Sequence, residues 1–310
     1  MEDIRLVEAK MVAQANLHHP ELQAALKHLV ASGGKRVRPA VALLVSSMLS
    51  GDQEKVVTLA AAIEMLHTAT LVHDDLIDGS LLRRGIPTLN SQWSPGATVL
   101  TGDFIFATAA RLAAETGSVE VMRLFAETLM TIVNGEITQM FSSRGIASRE
   151  NYYQRIYAKT ASMFELASSA AAVLSPVDLE VRAAVRQFGY EIGMAFQILD
   201  DILDFTAEPT KLGKPVASDL RQGLITLPAI YYLERSPEDP DLQKVLKGRS
   251  DEKGLPRLVE AIRQSGAIQS SLEEARRFVE RGVASLEGLP QNPARRSLEE
   301  LAFYIVDRDL

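Results

Sequence analysis

The sequence predicts an all-α chain, and three observations carry that reading. Apolar residues recur at three- and four-residue spacing almost throughout, the period of one face of a helix. Ala, Leu, Glu, Arg and Met, all good helix formers, are abundant, while strand-like alternation is hard to find. Gly and Pro clusters punctuate the periodic segments.

Taken in order, helices are expected over 3–14 and 21–31, before Gly33-Gly34, and over 37–50, which runs into Gly51-Asp52. A long apolar helix follows over 54–78. Pro87 and Pro95-Gly96 separate it from 95–116, and Gly117 separates that from 118–142. Next come 149–173, closed by Ser175-Pro176, and 178–206, closed by Pro209, Gly213 and Pro215. The remaining helices are placed at 219–234, 241–247, 254–264, 266–286 and 294–308. No low-complexity linker divides the chain, so 1–310 is read as one domain. The polar stretch from Ser236 to Gly254 is its expected surface excursion.

With 310 residues, 46% of them hydrophobic, the chain can bury a sizeable core. The absence of Cys removes disulfides and thiolate metal sites and suits a reducing cytoplasm. A net charge of -7 argues against a nucleic-acid surface. Glu2, Asp3 and Glu8 stand where a signal peptide would be apolar. No apolar run is expected to reach the length of a membrane span, which leaves transient contact with a membrane surface open.

Two copies of one acidic pattern lie far apart. The first is Asp74-Asp75-Leu76-Ile77-Asp78 and the second Asp200-Asp201-Ile202-Leu203-Asp204. Both fall late in long apolar helices, where positions i and i+4 share a face. Each close carboxylate pair repels by roughly 3 kcal/mol at an effective dielectric near 20. A single such motif reads as a solvated helix face. Two, spaced by Leu-Ile and Ile-Leu rather than by Lys or Arg, read as acids facing each other across a central cleft with a hard cation between them. Oxygen ligands favour Mg²⁺.

Cations form the second set. Gly33-Gly34-Lys35-Arg36-Val37-Arg38-Pro39 is a Gly-rich turn entering a helix, a setting suited to phosphate. Alone, it reads equally well as an ordinary helix start. Arg83-Arg84-Gly85 follows the first acidic motif, and paired arginines grip phosphate oxygens or a neighbouring Asp78. Lys211 and Lys214 flank Gly213 after the second motif. Acids and bases in one cleft suggest a metal-bridged diphosphate whose departure leaves a carbocation in a dry pocket.

These motifs together resemble the trans-isoprenyl diphosphate synthases of the polyprenyl synthetase family. The likeness spans nearly the whole chain: GGKRVRP at 33–39, HTATLVHDDLID at 67–78, RRG at 83–85, AKT at 158–160, FQILDD at 196–201, KLGKP at 211–215 and DLRQGLITLP at 219–228. It implies an isoprenoid-synthase-type helical bundle that adds isopentenyl diphosphate to an allylic diphosphate. In that scheme Asp74, Asp75, Asp78, Asp200 and Asp201 bind Mg²⁺, with Asp204 supporting them from behind. Arg83, Lys159 and Lys214 contact the allylic diphosphate. Lys35, Arg38, His67 and Arg84 hold isopentenyl diphosphate, and Thr160 and Gln197 turn oxygens towards the cationic centre. Without the resemblance, His67 reads as an ordinary core histidine and Lys159-Thr160 as a surface pair. Leu224 departs from the Lys many relatives carry there. The family is normally a homodimer.

Product length is argued from the helix before Asp74, which rises roughly 5.4 Å per turn, about one isoprene unit. The expected wall is Thr70, Ala69, Leu66 and Ile63. Relatives that stop at fifteen or twenty carbons tend to place a ring at the first two positions. Here both are small, so a product longer than twenty carbons is favoured, with the stop expected near Met130 to Met140. Kept as alternatives are a geranylgeranyl or farnesyl diphosphate synthase, a class-I terpene cyclase, a non-catalytic partner subunit, and a metal phosphohydrolase built on His73-Asp74.

Overall fold

A computed structural model describes residues 2–17, 19–31, 33–83, 85–141, 147–206, 216–249 and 253–307. Sixteen α-helices can be followed there: α1 (Glu2–Ala13), α2 (Pro20–Ala31), α3 (Val37–Met48), α4 (Gln53–Ile77), α5 (Leu89–Gln92), α6 (Pro95–Glu115), α7 (Val119–Phe141), α8 (Arg149–Ile156), α9 (Ser162–Val173), α10 (Leu179–Thr206), α11 (Ser218–Arg221), α12 (Leu227–Arg235), α13 (Pro240–Leu246), α14 (Gly254–Gln264), α15 (Ala267–Ser285) and α16 (Pro293–Val306). Only β1 (Leu82–Arg83) and β2 (Ile86–Pro87), paired antiparallel, interrupt the helices among the described residues. Several starts carry side-chain caps. Asp52 accepts from the Lys55 amide, Ser94 from Ala97 and Ser148 from Asn151.

The fold is all-α, and three details depart from the expected elements. The segment 219–234 is two helices. Gly223, at φ 78°, lets its own amide reach Leu220 O and the Leu224 amide reach Asp219 O, a left-handed closure that ends α11. Between α8 and α9, Tyr157–Ala161 forms a π-helical turn, with the Ser162 amide reaching back to Tyr157 O. The third departure concerns apolar length. α4 and α6 are each long and apolar enough to cross a membrane, with mean hydropathy 1.4 and 1.2, so the expectation that no run has that length is corrected. The run in α4 is interrupted on paper by Glu64, but that charge is met by Arg36, so the helix carries it while 83% of its apolar window is buried.

Contacts gather into two compact units. The first comprises Met1–Thr128, Met163–Gly189 and Gly288–Leu298, the second Leu129–Ser162, Tyr190–Glu287 and Glu299–Leu310. In the first, α4 lies along α6, with α1 and α3 also against it. Leu59, Ile63, Leu66 and Ala69 of α4 and Ile105, Ala109 and Leu112 of α6 are fully buried. In the second, α12 packs on α15, α14 and α8. The C-terminal half of α10 buries Ile192, Ala195, Ile198, Leu199, Ile202 and Phe205.

Absent side chains permit close approach. A Cβ on Gly135 of α7 would lie 2.5 Å from the Ala158 Cβ, beside the π turn. Gly135→Ala should therefore cost about 1–3 kcal/mol through overpacking. Urea unfolding checks this, and wild-type stability in the variant would mean that the contact relaxes freely.

Candidate active site

The first acidic motif closes α4. Asp74 is half-buried, Asp75 is buried and Asp78 is exposed. The Asp78 amide bonds Asp74 O at 2.8 Å, so these two acids stand one turn apart. Asp75 turns inward. Its carboxylate takes Arg83 Nε at 3.0 Å on each oxygen and Arg83 Nη2 at 2.8 Å. The hairpin makes this pairing possible. Gly79 (φ 63°) reverses the chain, the Ser80 amide bonds Asp75 O, and Thr88 Oγ1 bonds Ser80 O, which brings β1 alongside the end of α4. His73, left without a role in the sequence, has Nε2 at 3.2 Å from Val99 O and 3.5 Å from Asp103 Oδ1, close against Gly102 of α6.

The Gly-rich turn belongs to the same unit. Lys35 is exposed, whereas Arg38 is buried with its guanidinium 4.9 Å above the Phe164 ring. His67 is half-buried on α4. Between Lys35 and Arg38, Arg36 points into the protein. It donates to Glu64 Oε1 at 2.7 Å, Glu8 Oε1 at 3.1 Å and Val30 O at 2.9 Å. Burial pulls its pKa down, but the Glu64 and Glu8 carboxylates outweigh this and raise it above the ordinary arginine value. Of the four wall residues, Ile63, Leu66 and Ala69 are fully buried. Thr70 is half-buried and gives its hydroxyl to His67 O.

The second motif, on α10, is the centre of a polar network. Asp201 is buried, with Oδ2 accepting from the Tyr152 hydroxyl at 2.7 Å and Oδ1 from Gln197 Nε2 at 2.8 Å. Gln197 Oε1 in turn accepts from Thr160 Oγ1 at 2.6 Å. Burial, and then the nearby Asp219 charge, push the Asp201 carboxyl up to about 8 against the pull of Gln197, Tyr152 and Arg155. Burial first, and the Asp201 charge second, raise the Tyr152 hydroxyl well above the usual phenol range, so it remains a donor. Asp204 has a folding role. Its Oδ1 takes the Ser218 amide at 3.1 Å and its Oδ2 the Asp219 amide at 3.3 Å, capping α11. Lys159, exposed on the π turn, pairs with Glu136 at 3.1 Å. Arg155, Lys159, Gln197, Asp201, Asp219 and Thr226 line a cavity of about 150 Å³.

The donor set fits magnesium in kind. It is carboxylate oxygen, arranged as pairs and singles. No group of three or more His, Asp or Glu side chains forms a metal cage among the described residues. Mg²⁺ commonly takes one or two carboxylates plus substrate phosphates and water rather than a protein cage. Two expected site residues, Arg84 and Lys214, lie outside the described residues, as does Lys211. The sequence reading missed Tyr152, Arg155, Glu136, Asp219 and the inward turn of Arg36. Tyr152 carries a signal in its spacing, two helical turns before Lys159, and Asp219 opens the DLRQGLITLP motif. Glu136 and Glu64 had none, because a lone glutamate in an apolar helix does not announce its partner.

The sequence model described as polyprenyl synthetase matches residues 19–262. The heptaprenyl diphosphate synthase component 2 of Bacillus subtilis (strain 168) is 34% identical over 99% of this chain and 88% of its own. The octaprenyl diphosphate synthase of Escherichia coli (strain K12) is 33% identical over 99% of this chain and 96% of its own. Among solved structures, a polyprenyl synthase from Caulobacter crescentus CB15, complexed with calcium and isoprenyl diphosphate, superposes with a TM-score of 0.92 at 36% identity, covering 100% of this chain and 95% of that one.

The raised Asp201 carboxyl has a consequence for stability. A carboxyl near 8 in the folded chain and 3.8 unfolded holds its proton more tightly when folded. That contribution is complete below about pH 4 and is lost as pH rises through about 8. Without divalent metal, the wild type should lose at least about 1 kcal/mol relative to Asp201→Asn across that window, read from urea unfolding at each pH. Parallel pH profiles would count against the assignment.

Proposed function

The chain belongs to the polyprenyl synthetase family, and from there we propose how its residues carry out the reaction. It is a trans-prenyltransferase that lengthens an allylic diphosphate with isopentenyl diphosphate to products longer than twenty carbons. The C1–O bond of the allylic substrate breaks and the diphosphate leaves with the electron pair. The isopentenyl double bond then attacks C1, and loss of a proton restores a double bond, with the departed diphosphate as acceptor. Magnesium, when bound, withdraws charge from the diphosphate and makes it a better leaving group.

Each acidic motif divides its labour. Asp74 and Asp78 are the metal-facing acids of the first, and Asp75 holds Arg83 in place for the allylic diphosphate. In the second, Asp200 faces the metal, Asp201 anchors the network and Asp204 secures the backbone. Lys159 and Lys214 join Arg83 on the allylic diphosphate, while Lys35, Arg38, His67 and Arg84 take that of isopentenyl diphosphate. The observation that carries this reading is the directed chain of hydrogen bonds through Tyr152, Asp201, Gln197 and Thr160. With Gln197 Nε2 committed to Asp201 and the Thr160 proton committed to Gln197, the remaining lone pairs of Thr160 and Gln197 are available to positive charge.

As a working assembly we favour a homodimer in a reducing cytoplasm. Support comes from the exposed apolar stripe on α7, where Met130, Val133, Ile137, Met140 and Phe141 follow helical spacing. The alternatives of a cyclase, a phosphohydrolase or a non-catalytic subunit have no comparable support, since both acidic motifs and the Lys35/Arg38 turn are intact.

The test is incubation with Mg²⁺, isopentenyl diphosphate and allylic primers of graded length, followed by product mass. Products beyond C20 are expected, and no magnesium-dependent elongation of any primer overturns the reading. Asp74→Ala or Asp200→Ala should lower turnover by several powers of ten with unchanged far-ultraviolet circular dichroism. Near-normal turnover in either variant removes the metal assignment. Ala69→Phe should shorten the product, and an unchanged product spectrum would mean that the growing tail does not pass residue 69.

A further inference from the structure

The Gly-rich turn holds three cations, and they are not equivalent. Arg36 adopts φ 48° and ψ 33°, the left-handed region. A non-glycine residue there costs on the order of 1–2 kcal/mol. Glycine would occupy the position without strain, and the chain uses glycine at 33 and 34 immediately before it. An arginine retained on such backbone must return more than it costs.

Its contacts show what it returns. Nη1 meets Glu64 Oε1 at 2.7 Å, with side-chain exposures of only 8% and 6%. Nε meets Glu8 at 3.1 Å, and Nη2 donates to Val30 O at 2.9 Å. One planar guanidinium thus ties together α1, the end of α2, the turn and α4. With three of its five N–H donors spent on the protein and its side chain only 8% exposed, Arg36 is not a phosphate ligand. Its neighbours face differently. Lys35 is exposed, and Arg38 lies over Phe164. On α4, Glu64 precedes His67 by three residues, one turn away on the same side. It precedes Asp74 by ten residues, about 15 Å of helix.

We propose that Arg36 is a positioning residue: by locking the turn onto Glu64, it fixes Lys35 and Arg38 relative to His67 and to the first acidic motif, and so sets the affinity for isopentenyl diphosphate but not for the allylic primer. This rests on the functional reading above. It separates two roles within one basic motif, Arg36 as a strut and Lys35 and Arg38 as ligands. A strut that is merely structural would weaken both substrates alike.

The test uses Arg36→Gly, which relieves the backbone, and Arg36→Lys, which keeps the charge but loses the planar fork. In Arg36→Gly the KM for isopentenyl diphosphate should rise tenfold or more while the KM for the allylic primer stays within twofold. Calorimetric binding of isopentenyl diphosphate without primer should weaken by a similar factor. Arg36→Lys should fall between Arg36→Gly and wild type, which keeps the test open if the glycine variant folds poorly. Glu64→Gln should show the same selectivity, and adding Arg36→Gly to it should cost little more than the worse single change. Folded variants with wild-type KM and wild-type binding of isopentenyl diphosphate overturn the proposal, as does an equal rise in both KM values. A wild-type protein that itself neither binds isopentenyl diphosphate nor elongates a primer overturns the functional reading instead, a separate and recognisable result.

Discussion

A carboxylate carried into an apolar helix must be neutralised, hydrogen-bonded or both, and of the four buried carboxylates among the described residues three organise the candidate site, while Glu191 is met by Arg281. Glu64 is met by Arg36, Asp75 by Arg83, and Asp201 by Tyr152 and Gln197. An unpaired buried charge costs several kcal/mol, so each acid dictates where a distant partner must lie. The hairpin after α4 exists in its observed form because Arg83 has to return to Asp75. The turn at 33–39 sits where Arg36 can reach Glu64. α8 presents Tyr152 where Asp201 needs a donor. The machinery inferred for catalysis is thus assembled from the same contacts that make the acids tolerable.

The acids differ in how they are made tolerable, and the difference matters chemically. Asp75 has a full opposite charge at hydrogen-bond distance. Asp201 has neutral donors and lies near another acid, Asp219, so burial and repulsion favour its protonated form. A site of this second kind gains from the arrival of a cation, because the charge that was costly becomes compensated. Asp204 takes a third course, accepting the backbone amides of Ser218 and Asp219. It fastens the start of α11 to the end of α10, which explains why three acids at fixed spacing need not share one role.

Much of this could be read from the residues. Periodicity located nearly every helix, because a buried helix face leaves an imprint on sequence. The paired acidic motifs stood out because carboxylates in apolar company are costly. The break inside 219–234 was not read, although Gly223 and Pro228 were both present, because a helical pattern on either side masked a turn of a few residues. The inward turn of Arg36 was also hidden. One-dimensional spacing does not distinguish an arginine that grips a ligand from one that grips the protein. The same holds for Asp75, whose neighbour Asp74 is chemically identical yet faces elsewhere. The apolar length of α4 is legible in composition alone, and only its burial needs the structure.

The wide turn at Tyr157–Ala161 sets limits on how this stretch of chain can vary. A π turn holds one residue more than the α-helical turn it replaces. Lys159 and Thr160 both lie within it. Losing a single amino acid here would let the backbone relax into regular helix, a change that local energetics would favour. The penalty would instead be angular: each α-helical residue turns the axis by about 100°, so Thr160 would swing away from Gln197 and Lys159 from Glu136. Substitutions can be absorbed one side chain at a time, whereas indels at this turn would shift the phase of everything it presents. The segment is therefore bound in length as well as at Ala158, Lys159 and Thr160.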